Sequence, residues 1–130
     1  TGNNLVQFSK VSGTGFYNQG SHYSSSTYEF TAPVDGLYSF TAVVIWFNLS
    51  NGLNMNDSLR FLLNGADELA YGWRRAHYAA GYTGSQGYNT DFLSDQYLLS
   101  AGDTMGVRGK KTNSIHGNAH YTYFTGYLVG

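Results

Sequence analysis

The side chains of this chain that could carry out acid–base catalysis are a small set of carboxylates in its middle part. Two carboxyl groups can cleave a glycosidic bond when one donates a proton and the other acts as base or nucleophile. The candidates are Asp67, Glu68, Asp91 and Asp95, but nothing in their spacing favours a pair, and Asp67 and Asp91 have the character of turn residues. The chain also has no cysteine and no G-x-S-x-G motif for a serine nucleophile. We therefore expect a protein that is not an enzyme.

Metal ligation by histidine is the second kind of chemistry to consider. His116 and His120 are an even number of residues apart, which would place both on one face of a strand. A threefold axis would also bring three copies of one histidine together. Gly117 and Asn118 between them instead predict a turn. We expect no metal ion and no cofactor.

Aromatic and arginine side chains between positions 71 and 88 suit the recognition of sugars. Aromatic rings stack on the apolar faces of sugar rings, and arginine donates hydrogen bonds to hydroxyl or carboxylate groups. Glycines recur through positions 77–90, which predicts an exposed loop. The alternative for Tyr71 and Trp73 is that they share a strand face and pack in the core. The predicted ligand contacts are Trp73, Arg74, Arg75, Tyr78, Tyr82 and Tyr88.

The composition restricts the partners of this 130-residue chain, which is long enough for one domain with a sizeable core. The net charge is −1 and only 12% of the residues are charged, so no basic field attracts a phosphate backbone, and nucleic acid is not an expected partner. No apolar run approaches the roughly 20 residues that span a bilayer, so membrane insertion is not expected either. The 17% share of aromatic residues suits contacts with polar, uncharged ligands or an aromatic β-core.

The element that organises these residues is a long strand predicted at positions 37–47. Pro33 and the Asp35-Gly36 pair before it predict a tight connection, with a positive φ at the glycine. The eleven residues that follow are dominated by β-branched and aromatic types and contain no glycine, proline or charge.

The two faces of this strand differ, because side chains alternate along a strand. The first face is apolar throughout and belongs to the core: Tyr38, Phe40, Ala42, Val44 and Trp46. The second face begins with mixed residues and ends with Val43, Ile45 and Phe47. A strand that is covered on one side only keeps its second face polar. A second layer of the same chain or another chain therefore covers this face, and alternation alone leaves both open.

The rest of the chain reads as further short strands separated by turns. Asn64-Gly65 predicts a hairpin turn with positive φ, Ala101-Gly102-Asp103 predicts a second turn, and no segment has a convincing helical pattern. About eight to ten strands with regular turn signals indicate a β-sandwich or jelly roll. Strands are predicted at 5–11, 27–31, 58–63, 68–75, 91–100, 104–108 and 120–129.

Three motifs in order make the chain resemble the complement C1q globular-head family, which shares its jelly roll with the tumour necrosis factor family. They are FTAPVDGLYSFT at 30–41, LSAGD at 99–103 and YFTGYL at 123–128. The resemblance implies an all-β, ten-stranded jelly roll of two sheets. It also implies a tight homotrimer whose inner sheets form the subunit contacts, and binding rather than catalysis.

The resemblance also implies roles for particular residues, because the central strand, the strand ending near Leu99 and the C-terminal strand would share the inner sheet. Phe124, Gly126 and Leu128 would then face the core. The residues expected at the trimer interface are Val43, Ile45, Phe47, Tyr97, Tyr121, Tyr123 and Tyr127.

These observations predict one domain at 1–130, as the C-terminal head of a longer protein at the outside of a cell or virion. Its expected function is that of a homotrimeric recognition or adhesion head, which binds glycans or proteins of a target cell surface from the tip of a fibre or surface protein. The alternatives are a structural trimerisation cap without a ligand and a carbohydrate-binding module attached to an enzyme.

Overall fold

In a computed structural model of the chain, the described residues form ten strands in two antiparallel sheets. It describes residues 5–8, 11, 18–47, 59–71, 73–76, 88–109, 114–115 and 122–130. The strands are β1 (Tyr23–Ser24), β2 (Glu29–Thr31), β3 (Gly36–Phe47), β4 (Arg60–Leu63), β5 (Asp67–Tyr71), β6 (Trp73–Ala76), β7 (Tyr88–Leu99), β8 (Thr104–Arg108), β9 (Ser114–Ile115) and β10 (Tyr123–Leu128). The described part of the chain contains one short 3₁₀ helix, Gln19–Ser21, and no α-helix. No helix in that part is long and apolar enough to cross a membrane.

Each sheet is built around one central strand, after which we name it. The β8 sheet has the strand order β1-β2-β8-β4-β5, and the β3 sheet has the order β10-β3-β7-β6, with β9 also paired to β3. The central strand, the strand that ends at Leu99 and the C-terminal strand therefore share one sheet, as predicted. The two sheets form the predicted jelly-roll sandwich.

Local turn chemistry is confirmed at two of the three predicted turns. Asn64 and Gly65 have φ values of 51° and 70°, and Gly102 has a φ of 92°. Gly36 differs, because it is not among the residues with positive φ. A Cβ atom on Gly36 would lie 2.5 Å from Leu128 Cδ1 and 3.2 Å from the backbone oxygen of Gly130, so a side chain there would require the Leu128 side chain to move.

The single strand predicted at 68–75 is wrong. The structure divides it into β5, which pairs with β4, and β6, which pairs with β7 in the other sheet. Both halves have the residue types of strands, so propensity does not reveal that the chain changes sheets between them. The loop predicted at 77–90 is wrong for its last three residues, because β7 begins at Tyr88; residues 77–87 lie outside the described residues.

The core lies between the sheets and contains the predicted inner face of β3. Tyr38, Phe40, Ala42 and Val44 are all buried, which confirms that prediction for the described side chains of this face. The ring centroid of Phe40 lies 5.3 Å from that of Phe30 in an edge-to-face arrangement, a favoured geometry for aromatic pairs. Three further rings, from strands of both sheets, complete this aromatic cluster: Tyr38 of β3, Phe61 of β4 and Phe124 of β10.

Hydrogen bonds join the Asn64-Gly65 turn to the Ala101-Gly102-Asp103 turn at one end of the sandwich. Asn64 Nδ2 donates to Asp103 Oδ1 at 3.0 Å, and the Ser100 amide donates to Asp103 Oδ2 at 2.9 Å. The Thr104 amide in turn donates to Asn64 Oδ1 at 2.8 Å. These donors stabilise the ionised carboxylate and hold the pKa of Asp103 below its ordinary value of 3.8.

Candidate functional site

The outer face of the β3 sheet exposes large apolar side chains in this chain. Tyr127 is 59% exposed and Leu98 is 82% exposed, while Phe92 and Tyr123 are 46% and 40% exposed. Soluble monomers rarely keep a large continuous apolar patch in water, so such a patch indicates a contact surface. We call this surface the outer face. Its described side chains are Leu37, Ser39, Thr41, Val43, Ile45, Thr90, Phe92, Ser94, Gln96, Leu98, Tyr123, Thr125 and Tyr127.

Strand pairing arranges these side chains in rows that cross the strands. In the aromatic row, Val43 of β3 pairs with Phe92 on one side and Tyr123 on the other. In the neighbouring hydroxyl row, Thr41 pairs with Ser94 and Thr125. The next row along the strands places Ser39 between Gln96 and Tyr127, and Leu37 then pairs with Leu98.

The described side chains of the outer face are uncharged. Among its described side chains on β3, β7 and β10, none is an acid, a base or a histidine. These side chains therefore include no carboxylate or imidazole ligand for a metal. What they offer is apolar area and hydroxyl groups, which suit burial against another uncharged surface.

The structure brings together four of the residues predicted at the trimer interface. Val43 and Ile45 lie partly buried on the outer face, and Tyr123 and Tyr127 are exposed beside them. The backbone of Phe47 continues β3, but its side chain lies outside the described residues. Tyr121 also lies outside them.

Tyr97 does not belong to this group, because alternation places it on the opposite face of β7. Its ring packs edge-on against Phe61 of the β8 sheet, with the centroids 6.0 Å apart. Its hydroxyl donates to Asp95 Oδ2 at 3.2 Å. Burial, with a contribution from the charge of Asp95, raises the pKa of Tyr97 to about 12. Tyr97 is thus removed from the candidate interface.

Two large apolar residues of the outer face, Phe92 and Leu98, were not predicted from the sequence. They alternate with Ser94 and Gln96 along β7, a pattern that is visible in the sequence. The same stretch also carries Leu93, Tyr97 and Leu99 on the other parity. Because both parities contain large apolar residues, only the pairing with β3 decides which set faces outward.

The inner side of β10 agrees with the prediction for two of its three residues. The Phe124 ring stacks on Phe40, with the centroids 5.9 Å apart. A Cβ atom on Gly126 would lie 2.7 Å from two carbon atoms of the Phe40 ring, so this backbone packs directly on the core. Leu128 has the same parity but is 47% exposed, because it lies at the end of the sheet beside Gly36. The prediction that it faces the core is wrong.

The predicted ligand residues are only partly described, and those that are lie in the β3 sheet. Trp73, Arg74 and Arg75 belong to the edge strand β6, whose Cα register sets Trp73 beside Phe92. Tyr88 belongs to β7 rather than to a loop, and its Cα atom pairs with that of Phe47. Tyr78 and Tyr82 lie outside the described residues.

Two of the four carboxylates considered for catalysis, Glu68 and Asp95, make other contacts in the structure. Glu68 forms ion pairs with Arg60 and Arg108, which lie opposite each other on β4 and β8. Asp91 is fully buried, and Asp95 accepts hydrogen bonds from the Tyr97 hydroxyl and the Gln96 amide. Within the described ranges, no group of three or more histidine or carboxylate side chains could hold a metal ion. His116 and His120 fall outside those ranges.

The two-sheet jelly roll defines the class of this protein, and comparison with known proteins defines its family. The family model of the C1q domain matches residues 1–129. The chain therefore belongs to the C1q domain family. Among solved structures it is similar to the crystal structure of rabbit GITRL, with 17% sequence identity, a TM-score of 0.49 and coverage of 79% of this chain and 72% of that chain. A comparison with curated proteins found no match.

Membership of this family carries general properties. C1q-like domains are typically trimeric and bind ligands. They are generally not enzymes. They are usually secreted or exposed at a surface.

Proposed function

We propose that this chain is a non-enzymatic recognition head that assembles as a homotrimer through the outer face of its β3 sheet. In this proposal the head stands at the tip of a fibre or surface protein, outside a cell or virion, and binds a glycan or protein of a target cell surface. The observation that carries the proposal is the uncharged outer face with its exposed Phe92, Leu98, Tyr123 and Tyr127.

A second copy of the chain is the partner that suits this face. Burial of apolar surface is worth about 25 cal/mol per Å², and permanent interfaces are apolar and rich in aromatic residues. Because the described side chains carry no charge, copies of the same face can meet without like-charge repulsion. In a closed, symmetric assembly all subunits are equivalent, so each of them buries this same face. Three heads on one stalk then gain avidity from sites that are individually weak.

Ligand recognition in this proposal is assigned to Tyr78 and Tyr82, which follow β6 in the sequence and for which the sequence predicts a loop. Exposed tyrosines present a large stacking surface and a hydrogen-bonding hydroxyl group at a small cost in side-chain entropy. The strands before and after this segment, β6 and β7, pair with each other in the β3 sheet and so hold its two ends together.

A structural trimerisation cap is the second candidate, and one observation favours it. Trp73 and Tyr88, both predicted as ligand contacts, pair with Phe92 and Phe47, which belong to the assembly face or continue it. If these positions serve assembly, fewer of the predicted residues remain for a ligand.

The assembly is tested by the Phe92→Asp variant. An uncompensated carboxylate in an apolar interface is strongly unfavourable, so we expect a monomer where the parent protein is a trimer, measured by light scattering and sedimentation. Val34→Asp is the matched control, because Val34 is 48% exposed and Phe92 46% exposed, and Val34 lies in the turn before β3. A parent protein that is monomeric at every concentration, or a Phe92→Asp trimer as stable as the parent, would contradict the proposal.

Recognition is tested by a glycan array with the parent protein and a Tyr78→Ala/Tyr82→Ala variant. We expect the variant to lose the ligand and to remain a trimer, while Tyr28→Ala, in the turn before β2, retains both. Binding that is equal for parent and variant would contradict the assignment of these tyrosines. A trimer for which no glycan or cell-surface protein is found would favour the cap.

A further inference from the structure

The hydroxyl row of the outer face is the feature that the proposed assembly does not explain. An interface built for tight burial alone would continue the apolar residues of the aromatic row along the strands. Instead, Thr41, Ser94 and Thr125 form a polar band across β7, β3 and β10. The Thr41 and Ser94 hydroxyls lie 3.0 Å apart and share a hydrogen bond. Each hydroxyl has one donor and two acceptor sites, so this bond leaves further donor and acceptor capacity on the band.

We propose that the hydroxyl row is the register-determining layer of the trimer; this inference rests on the proposed function. Rotation about an axis leaves the height along that axis unchanged. If the strands of the β3 sheet run along the threefold axis, every row meets its own copies from the other two subunits. The hydroxyl rows of three subunits then form one polar layer, in which donors meet acceptors. Polar groups buried among apolar residues specify register in this way in coiled coils, at some cost in stability.

The hydroxyl layer makes arrangements unfavourable in which one subunit is shifted along the strands relative to its neighbours. Residues two apart on a strand are separated by about 6.7 Å, so a slip by one row moves a subunit by that distance. Such a slip places Thr41, Ser94 and Thr125 against Phe92, Val43 and Tyr123 of the neighbour. Hydroxyls buried without partners are costly, whereas a wholly apolar face would tolerate the slip. A slipped contact also no longer closes into a ring and can continue into open assemblies.

The test removes the hydroxyl groups and keeps the shape of the side chains. The variant is Thr41→Val/Ser94→Ala/Thr125→Val, and Thr31→Val is the control, because Thr31 is exposed on β2 of the other sheet. Sedimentation velocity measures the species that form. The parent protein and the control are expected as one trimeric species, and the triple variant as a trimer accompanied by larger assemblies.

A distance measurement reports the register directly. The chain has no cysteine, so a spin label on Ser100→Cys, at an exposed turn, is the only one in each subunit. Electron–electron distance measurements should give one narrow distribution for the parent trimer. For the triple variant we expect a broad distribution with additional distances. Where the triple variant does not fold, Ser94→Ala alone is used, since Ser94 is exposed in the single chain; it should give the same species in smaller amounts.

The outcomes separate this inference from the proposal on which it rests. A parent protein that stays monomeric overturns both. A trimeric parent together with a triple variant that forms one trimeric species and keeps the narrow distribution overturns the register role alone and leaves the recognition head in place.

Discussion

The two faces of β3 differ in what covers them within one chain. The inner face carries Tyr38 and Phe40, which are buried against the β8 sheet and against β10 of the same chain. The outer face has a similar aliphatic content, in Val43 and Ile45, but within one chain it has no covering layer among the described residues. The inner side chains meet an aromatic cluster that fits them, whereas the outer ones lie in rows that suit a copy of themselves. In the proposed trimer both sets are needed, the first for the fold and the second for assembly.

Truncation of one phenylalanine on each face gives the largest expected effect. Phe40 is fully buried and contacts rings from three other strands, so Phe40→Ala should lower the free energy of unfolding by about 3–5 kcal/mol. Phe92→Ala should leave the fold of the single chain nearly unchanged and weaken the trimer. Urea denaturation at several protein concentrations separates these effects, because stability that comes from assembly depends on concentration.

The comparison between the faces would fail under two results. One is a Phe92→Ala protein that is destabilised as much as Phe40→Ala at every concentration, which would mean that Phe92 belongs to the core. The other is a parent protein whose midpoint in urea does not depend on concentration, which would mean that the outer face contributes no assembly energy.

Much of the fold could be predicted because its signals are local. Residue types within a few positions are enough to predict β3 and β8. They also predict the positive φ values at Asn64, Gly65 and Gly102. The change of sheet between β5 and β6 could not be predicted in this way. Both strands have ordinary strand residues, and their partners β4 and β7 are chosen by pairing between distant parts of the chain.

In the candidate site too, the residues set by local signals could be predicted and those set by strand pairing could not. Val43 and Ile45 could be placed on a separate face, because alternation along β3 contrasts with a wholly apolar inner face. Phe92, Leu98 and Tyr97 could not be sorted, because β7 has large side chains on both parities and its register against β3 is not local. The sequence prediction placed Tyr88 in a loop and therefore among the ligand contacts. In the structure Tyr88 belongs to β7, in the same sheet as the proposed assembly residues.

Gly126 gives a sharper test of the inner face, with an intermediate effect. A methyl group there would lie 2.7 Å from two carbon atoms of the buried Phe40 ring, so Gly126→Ala should cost about 1–3 kcal/mol through overpacking. Gly130→Ala is the control, because a Cβ atom on Gly130 meets nothing within 4 Å. Thermal unfolding of the two variants provides the measurement. Equal stability of both would show that the backbone of β10 does not press on the core.

Asp103 lies at the end of the sandwich, away from both faces, and gives the smallest expected effect. Hydrogen bonds from Asn64 and the Ser100 amide lower the pKa of Asp103 below its ordinary value of 3.8. A carboxyl group with a lowered folded-state pKa stabilises the fold above its unfolded-state pKa, and this contribution is lost as the pH falls through the folded-state value. Asn64→Gly keeps the positive φ of position 64 and removes the donor, so it should move the pKa of Asp103 upward in an NMR titration and reduce the acid-dependent part of stability.

The trimer should be unaffected at neutral pH, because the change touches no residue of the outer face. A loss of assembly in Asn64→Gly would show that the contact surface extends to this end, and that the outer face of β3 does not account for assembly by itself.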